Sequence, residues 1–524
     1  MIGIGKFVAH SMQNHISLSV STSDQDYRSA NAPRLAQLHA ILTSSAVRYL
    51  LCLHPNELAS EDKELPFVWL EWQSWSKHTA RGWLDLVHHY TTGTHLSPIP
   101  AALSSLLDQI RGVQLPRDPV FLDALPIMKE TGMSPKKAHE VSRMAKYVLA
   151  TINANAWNPA DLRIVDIGAG QGYLTRALKL QLPRTRILAL DADEAQTIGA
   201  RRWESRLLPS PSKENPPITH KTIHITPEEL FKTIDEWVTE RPPVEGHEIP
   251  VLLVGLHACG SLTPDIMRTF SRSRSDNRTW KFAASVVVGC CYNLMNAGDF
   301  PLSMYMKSLS PPIDLPTSAY HLAAQIPLTW LAGHSPPVPA PSVELALRKV
   351  TWRALLGKKI RQLQSADTIP DMNINLNPGR QLPWSRLPAA KTQNFDLNEA
   401  GTGATPEMRR LGRLRDTAYN NWGTFIDVAG KKMGVYLGHT SNDLGAERDV
   451  GLERLLEVVH TLRCLVGPVV ESAIVLDRMV WIEETLRSEG CTDVQAQLVN
   501  LFDQAAGSGR NIAIVIAPSI PSIE

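Results

Sequence analysis

One stretch restricts the fold of this 524-residue chain more than any other: IVDIGAGQGYLTRAL, residues 164–178. A short β-branched run reads as a buried strand, three closely spaced glycines follow, and the apolar spacing then changes to that of a helix. Gly168, Gly170 and Gly172 let the backbone turn tightly and let a ligand approach where a Cβ would stand. The first N–H groups of the following helix face that ligand's polar part. The next strand-like run, RILALDAD (186–193), carries Asp191 at its end, where a carboxylate can accept hydrogen bonds from both hydroxyls of a ribose.

The first of these strands spans RIVDIG (163–168), and further strands are read at VLLVGLH (251–257) and ASVVVGCCY (284–292), with helices at 173–182 and 226–239 between the strands. Strands that alternate with helices imply a parallel sheet covered on both faces. The expected fold is therefore α/β, a Rossmann-like seven-strand core. Two final strand candidates, 495–502 and 511–517, would close that sheet as an antiparallel hairpin after an apolar helix at 468–487. The flanks read differently. Residues 1–30 are a loose polar tail, and 31–125 a helical N-terminal domain with Trp69, Trp72, Trp75 and Trp83 on its core face. The core's first part spans 126–310, a helical insertion and linker 311–450, and its C-terminal part 451–524. Pro209–Pro217 reads as a loop, and Arg409, Arg410, Arg413 and Arg415 as a basic helix.

Composition excludes several classes. With 43% hydrophobic and 20% charged residues this is a globular chain, and a formal net charge of +1 provides no overall basic field for nucleic acid. Six scattered cysteines suit reduced thiols rather than a disulfide scaffold, so the expected setting is intracellular, cytoplasm or nucleus. The N-terminus has no signal-peptide pattern. No run is read as reaching the roughly 18–20 apolar residues of a membrane span, so no membrane contact is expected.

The ligand follows from the spacing. A dinucleotide fingerprint needs glycine at 173, where this chain has Tyr173; here the pattern is GxGxG, with Asp166 two residues before the first glycine. An acid suits a cationic amino-acid end and repels a pyrophosphate. The expected cofactor is S-adenosylmethionine, held by Asp166, Gly168, Gly170, Gly172 and Asp191.

Two more features carry polar chemistry. In GMSPKKAHEVSRMA (132–145), Ser134 and Pro135 start a helix whose first turn holds Lys136 and Lys137. Cations are disfavoured there by about 0.3–1 kcal/mol each, so the pair is either solvated or facing an anion such as a substrate phosphate or the cofactor carboxylate. His257-Ala-Cys259-Gly260 and Gly289-Cys290-Cys291-Tyr292-Asn293 fall at strand ends, which line the crevice of a parallel sheet. Their uses remain open: packing, zinc binding, a thiolate nucleophile, or substrate positioning with His257 as proton acceptor. No metal is expected, because there is no CxxC pair and adjacent strand residues point to opposite faces. The candidate catalytic side chains are His257, Cys259, Cys291 and Tyr292.

GMSPKKAHEVSRMA, VDIGAGQGYLTRAL, GLHACGSL and GCCYNL with FPLS (300–303), in that order, resemble the methyltransferase-like protein 25 family, which includes the protein named for a ribosomal RNA adenine dimethylase domain. PVVESAIVLDRMVWIEE (468–484) and LFDQ with SGRN toward the end are similar to that family's C-terminus. The resemblance spans about 120–517 and implies methyl transfer from S-adenosylmethionine. It adds Lys136, Lys137, His139, His257 and Cys291 as site residues. Ser261 stands where the family has an acid, Asn293 where it has histidine, and Gly509 where it has proline. The Asn/Asp-Pro-Pro-aromatic element that grips exocyclic amines is absent, since its place reads GLHACG. The expected substrate is a macromolecule, RNA or protein, with a non-catalytic cofactor-binding module as the rival reading; oligomeric state is left open.

Overall fold

The computed structural model describes residues 24–60, 69–122, 132–241, 248–272, 278–332, 338–365, 409–435, 437 and 448–521. The chain opens with helices α1 (Asp24–Thr43), α2 (Ser45–Cys52), α3 (Pro55–Ser60), α4 (Leu70–His78), α5 (Gly82–Thr92) and α6 (Ala101–Val113). The doubly wound part runs α7 (Pro135–Ala154), β1 (Arg163–Ile167), α8 (Tyr173–Gln181), β2 (Arg186–Asp191), α9 (Glu194–Leu207), β3 (Thr219–Thr222), α10 (Pro227–Thr239), β4 (Ile249–Cys259), α11 (Leu262–Arg272) and β5 (Trp280–Cys290). Beyond it lie α12 (Met304–Ser308), α13 (Thr317–Leu322) and a short ladder of β6 (Leu331–Ala332) with β7 (Val338–Pro339). Then come α14 (Pro341–Ser365), α15 (Trp422–Met433), α16 (Val450–Ser488), β8 (Gln495–Asn500) and β9 (Ile512–Ala517).

The main sheet has seven strands in the order β3-β2-β1-β4-β5-β9-β8. β1 to β5 are mutually parallel, and β9 joins β5 antiparallel, with Val287 opposite Ile514. The terminal hairpin pairs as the sequence suggested, Asn500 opposite Ile512. Every residue of β1 is buried between two neighbouring strands, its three apolar residues together with Arg163 and Asp166. Alternate strand residues feed opposite faces. Ile164, Ile187 and Val286 pack with Val148 of α7 and Leu178 of α8, whereas Val165, Leu188 and Val287 pack with Ile234 of α10, Ile266 of α11 and Met479 of α16.

α16 joins this sheet to the rest of the molecule. Leu38, Leu50, Leu86 and Leu107 from the N-terminal helices, Leu322 of α13, Trp352 of α14 and Phe425 of α15 share one hydrophobic cluster with Leu462, Val466 and Val470 of α16. Trp69, Trp72 and Trp83 are buried, in keeping with their expected core role. One expectation fails on this helix. By length and composition α16 is apolar enough to cross a membrane, but 94% of its most apolar stretch is buried inside the protein. Its apolar character is that of a core helix.

The basic helix also fails: residues 409–415 have no helical backbone, and Arg409, Arg410, Arg413 and Arg415 are exposed on an irregular segment. Leu414, buried between them, fixes that segment to the helical cluster. β3 was not read in the sequence because Thr-His-Lys-Thr has no apolar alternation; an edge strand needs little. The tail before Asp24 and the whole of the expected linker at 366–405 lie outside the described residues.

Candidate functional site

The site lies at the carboxyl edge of β1, β2, β4 and β5. Gly168, Gly170 and Gly172 all have left-handed backbone, at φ +73°, +56° and +70°. A Cβ built on Gly170 meets nothing within 4 Å, so the turn presents bare backbone to open space. The Gly170 N–H donates to Asp191 Oδ2 at 2.7 Å, and Oδ1 of the same carboxylate accepts from the Asp193 N–H at 2.8 Å. Two backbone amides thus aim Asp191, and each oxygen keeps a lone pair for a further donor. A ribose diol between an aimed carboxylate and a side-chain-free turn fits this arrangement.

Asp166 sits elsewhere than expected. It is buried beneath the turn, and Thr175 Oγ1 donates to its Oδ2 at 2.5 Å. The backbone N–H of Thr175 donates to it as well, so Asp166 caps the first turn of α8. Burial pushes its pKa up to about 6, with the Asp191 charge adding to that rise and the Thr175 bonds opposing it.

α7 supplies the opposite wall. Ser134 caps it by accepting the Lys137 N–H, as the sequence indicated. The two lysines part company. Lys136 is partly exposed and reaches Glu140 at 3.8 Å. Lys137 is turned inward, burial lowers its pKa, and its charge interacts with Glu140, Cys290 and Asp166. His139 does not join them: its Nε2 accepts the Asp503 N–H at 3.0 Å and its ring lies edge-on to Phe502, anchoring α7 to the C-terminal segment.

Glu140 is the site residue that the sequence reading missed. It is 4% exposed, and its Oε2 lies 3.4 Å from His257 Nε2. Burial raises its pKa, but His257, Lys136 and Lys137 together outweigh that and hold it below the ordinary carboxylate range. The one signal available was its position four residues after Lys136, on the same helix face. A carboxylate on Nε2–H would leave Nδ1 of His257 as the proton acceptor.

Cys259, Cys290 and Cys291 converge, their sulfurs all within 4.8 Å of one another. Hydrogen bonds from Cys259 and Cys290, together with Arg510 and His257, lower the pKa of Cys291 and concentrate thiolate character there. The expectation that the adjacent pair faces opposite ways does not hold, because Cys291 leaves the strand with left-handed backbone, φ 47° and ψ 49°. Tyr292 is corrected outright. It is 2% exposed, and its hydroxyl donates to Glu471 Oε1 of α16 at 3.0 Å, under a buried Arg478. Its phenol is part of the core and does not line the crevice.

A parallel sheet extended by one reversed strand, with a glycine turn after β1 and an aimed acid ending β2, defines the methyltransferase class of doubly wound folds. Residues 136–298 match a family model described as a methyltransferase domain, which covers the turn, both acids, α7 and all three converging thiols. Among solved structures, the chain is similar to the plantazolicin methyltransferase BpumL in complex with a desmethyl analogue and SAH, at 14% identity over 30% of this chain and 49% of that one, with a TM-score of 0.18. It is also similar to coclaurine N-methyltransferase bound to N-methylheliamine and SAH, at 11% identity over 84% of this chain and 94% of that one, with a TM-score of 0.19. The mitomycin 7-O-methyltransferase MmcR is 16% identical over 51% of this chain and 66% of that one, with a TM-score of 0.17. The chain thus spans about half the length of the first of these, and likeness at this level says nothing about its substrate.

Proposed function

We propose that this chain is an S-adenosylmethionine-dependent methyltransferase of the methyltransferase-like protein 25 family, acting on a macromolecule, RNA or protein, inside the cell. The observation that carries the reading is the Asp191 carboxylate, held by the Gly170 and Asp193 amides across a turn that has open space in front of it. The cofactor supplies an electrophilic methyl group. Asp191 would accept the ribose hydroxyls, Gly170 would allow close approach, and Lys137 would offer a cation to the carboxylate. His257, oriented by Glu140, would take the proton from the substrate's nucleophilic atom as the methyl arrives. Positioning and removal from water provide the remainder. The exposed arginines at 409–415 support a polyanionic substrate, and free cysteines support a reducing intracellular setting.

A second reading, a cofactor-binding module without turnover, draws support from Tyr292, which is lost to the core. Calorimetric titration with S-adenosylhomocysteine should give binding by the native chain and none by Gly170→Arg, whose side chain would fill the space before the turn. Labelled methyl groups should then pass from cofactor into fractionated cell RNA or protein. Binding with no label in either fraction would favour the module, and no binding at all would remove both readings.

A further inference from the structure

We propose that Cys259, Cys290 and Cys291 form a three-thiolate binding site for one zinc(II) ion at the carboxyl edge of β4 and β5. This replaces the expectation that the chain holds no metal, and it rests on the strand ends alone rather than on the cofactor reading.

The case begins with register. Cys259 and Cys290 are partners on adjacent parallel strands, and their sulfurs lie 3.0 Å apart. Cys291 would point to the other side of the sheet if β5 continued. It does not, because its backbone is left-handed, a conformation that costs a non-glycine residue energy and persists where the surroundings demand it. Among the described residues, Ala156 alone shares this feature. The turn at Cys291 brings the third sulfur to the other two. The neighbouring strand end is equally committed: Gly260 is left-handed at φ +56°, and a Cβ there would meet the Leu294 carbonyl oxygen at 2.5 Å. Only glycine lets the two loops close over the thiols.

Sulfurs at tetrahedral zinc sit at about 2.3 Å from the metal and therefore roughly 3.8 Å from one another, a spacing that the 4.8 Å cluster reaches with small side-chain movements. Soft donors select a thiophilic ion over magnesium or calcium. Three thiolates around a divalent ion leave one net negative charge, and cations stand ready for it: Arg510 acts on Cys259 and Cys291, and Lys137 on Cys290. Cys290 is buried while Cys259 and Cys291 are partly exposed, so the site is closed beneath and open toward the crevice. Among the described residues no fourth ligand atom joins the three sulfurs, which leaves the fourth position to water or a substrate heteroatom, the pattern of catalytic rather than structural zinc. A disulfide between Cys259 and Cys290 would use two sulfurs and leave the strained turn at Cys291 without purpose.

The test is the metal content of the full chain purified without chelators and measured by plasma mass spectrometry. The expected result is one zinc per chain, replaceable by cobalt(II) with appearance of a thiolate-to-cobalt charge-transfer band. Cys259→Ser and Cys291→Ser, both at partly exposed positions, should lose metal and band while keeping the native far-ultraviolet spectrum; Cys491→Ser should keep all three. Should a variant unfold, the native chain decides. No zinc before or after reconstitution and no cobalt band would overturn the proposal, as would a Cys259–Cys290 disulfide found by mapping natively alkylated protein. Titration with S-adenosylhomocysteine in parallel separates this outcome from failure of the cofactor reading.

Discussion

At the scale of single residues, Asp166 shows how the ligand turn is held at a cost to stability. Its carboxyl is fully enclosed, and burial raises its pKa from 3.8 to about 6. A shift of about two units corresponds to about 3 kcal/mol. The folded pKa lies above the unfolded one, so the proton is held more tightly in the folded chain. That contribution is fully favourable below about pH 4 and is lost as pH rises through about 6. Asp166→Asn removes the charge while keeping an oxygen for Thr175. Chemical denaturation should find it more stable than the native chain at pH 8, by up to about 3 kcal/mol, with the gap closing toward pH 4. A variant less stable at pH 8 would mean that the Thr175 bonds outweigh burial. The reading of this acid from sequence had the right position and the wrong contact. Spacing reveals that an acid precedes the turn, not whether its side chain passes above or below it. Glu140 escaped for the related reason that burial on an otherwise amphipathic helix leaves no trace in periodicity.

Between elements, the important joint is that of α12 with α16. Phe300-Pro301-Leu302-Ser303 and the Leu-Asp-Arg of α16 stand some 170 positions apart in sequence and meet at Asp477. Asp477 Oδ2 accepts the Leu302 N–H at 2.6 Å, and Oδ1 accepts the Ser303 N–H at 3.0 Å and its hydroxyl at 2.5 Å. All are buried. Ser303 in turn caps α12 by accepting the Met306 N–H. Asp477→Ala would strand two amides and a hydroxyl, each costing about 1–3 kcal/mol. The expected result is a loss of about 3 kcal/mol or more in thermal or chemical unfolding, with Asp477→Asn recovering part of it. An alanine variant as stable as the native chain would mean that water replaces the carboxylate. This joint was legible only as two separate blocks. The central strands and the closing hairpin were plain because each carries its own apolar signal, which the edge strand β3 lacks. Pairing between distant polar residues has no such signal, and nor does an irregular segment such as 409–415, whose arginines fit a helix pattern until Leu414 is seen to be fastened to the helical cluster.

For the whole molecule, the question is whether the doubly wound part can stand without the helices before it. The sequence suggested a separate N-terminal domain, but hydrophobic periodicity reveals which face of a helix is apolar and never what covers it. In the structure the cover is α16: Leu35, Leu38, Leu50, Leu86, Tyr90, Leu103 and Leu107 are each under 1% exposed and belong to the same cluster as Leu462, Val466 and Val470. Each such side chain contributes about 1.5–3 kcal/mol on burial, so losing seven removes about 10–20 kcal/mol, as much as or more than the roughly 5–15 kcal/mol by which an ordinary domain is stable. Arg117 adds a polar tie, with its Nη1 at 2.7 Å from the buried Glu471 that also receives the Tyr292 hydroxyl. A carboxylate buried without its partner costs about 3–5 kcal/mol. A chain shortened to begin at residue 132 is therefore expected to aggregate or to lose cooperative unfolding, even though it keeps every residue matched by the methyltransferase domain family. Size-exclusion chromatography with circular dichroism decides this. A monodisperse shortened chain that unfolds cooperatively would mean that α16 finds another cover and that the N-terminal helices are a separable domain.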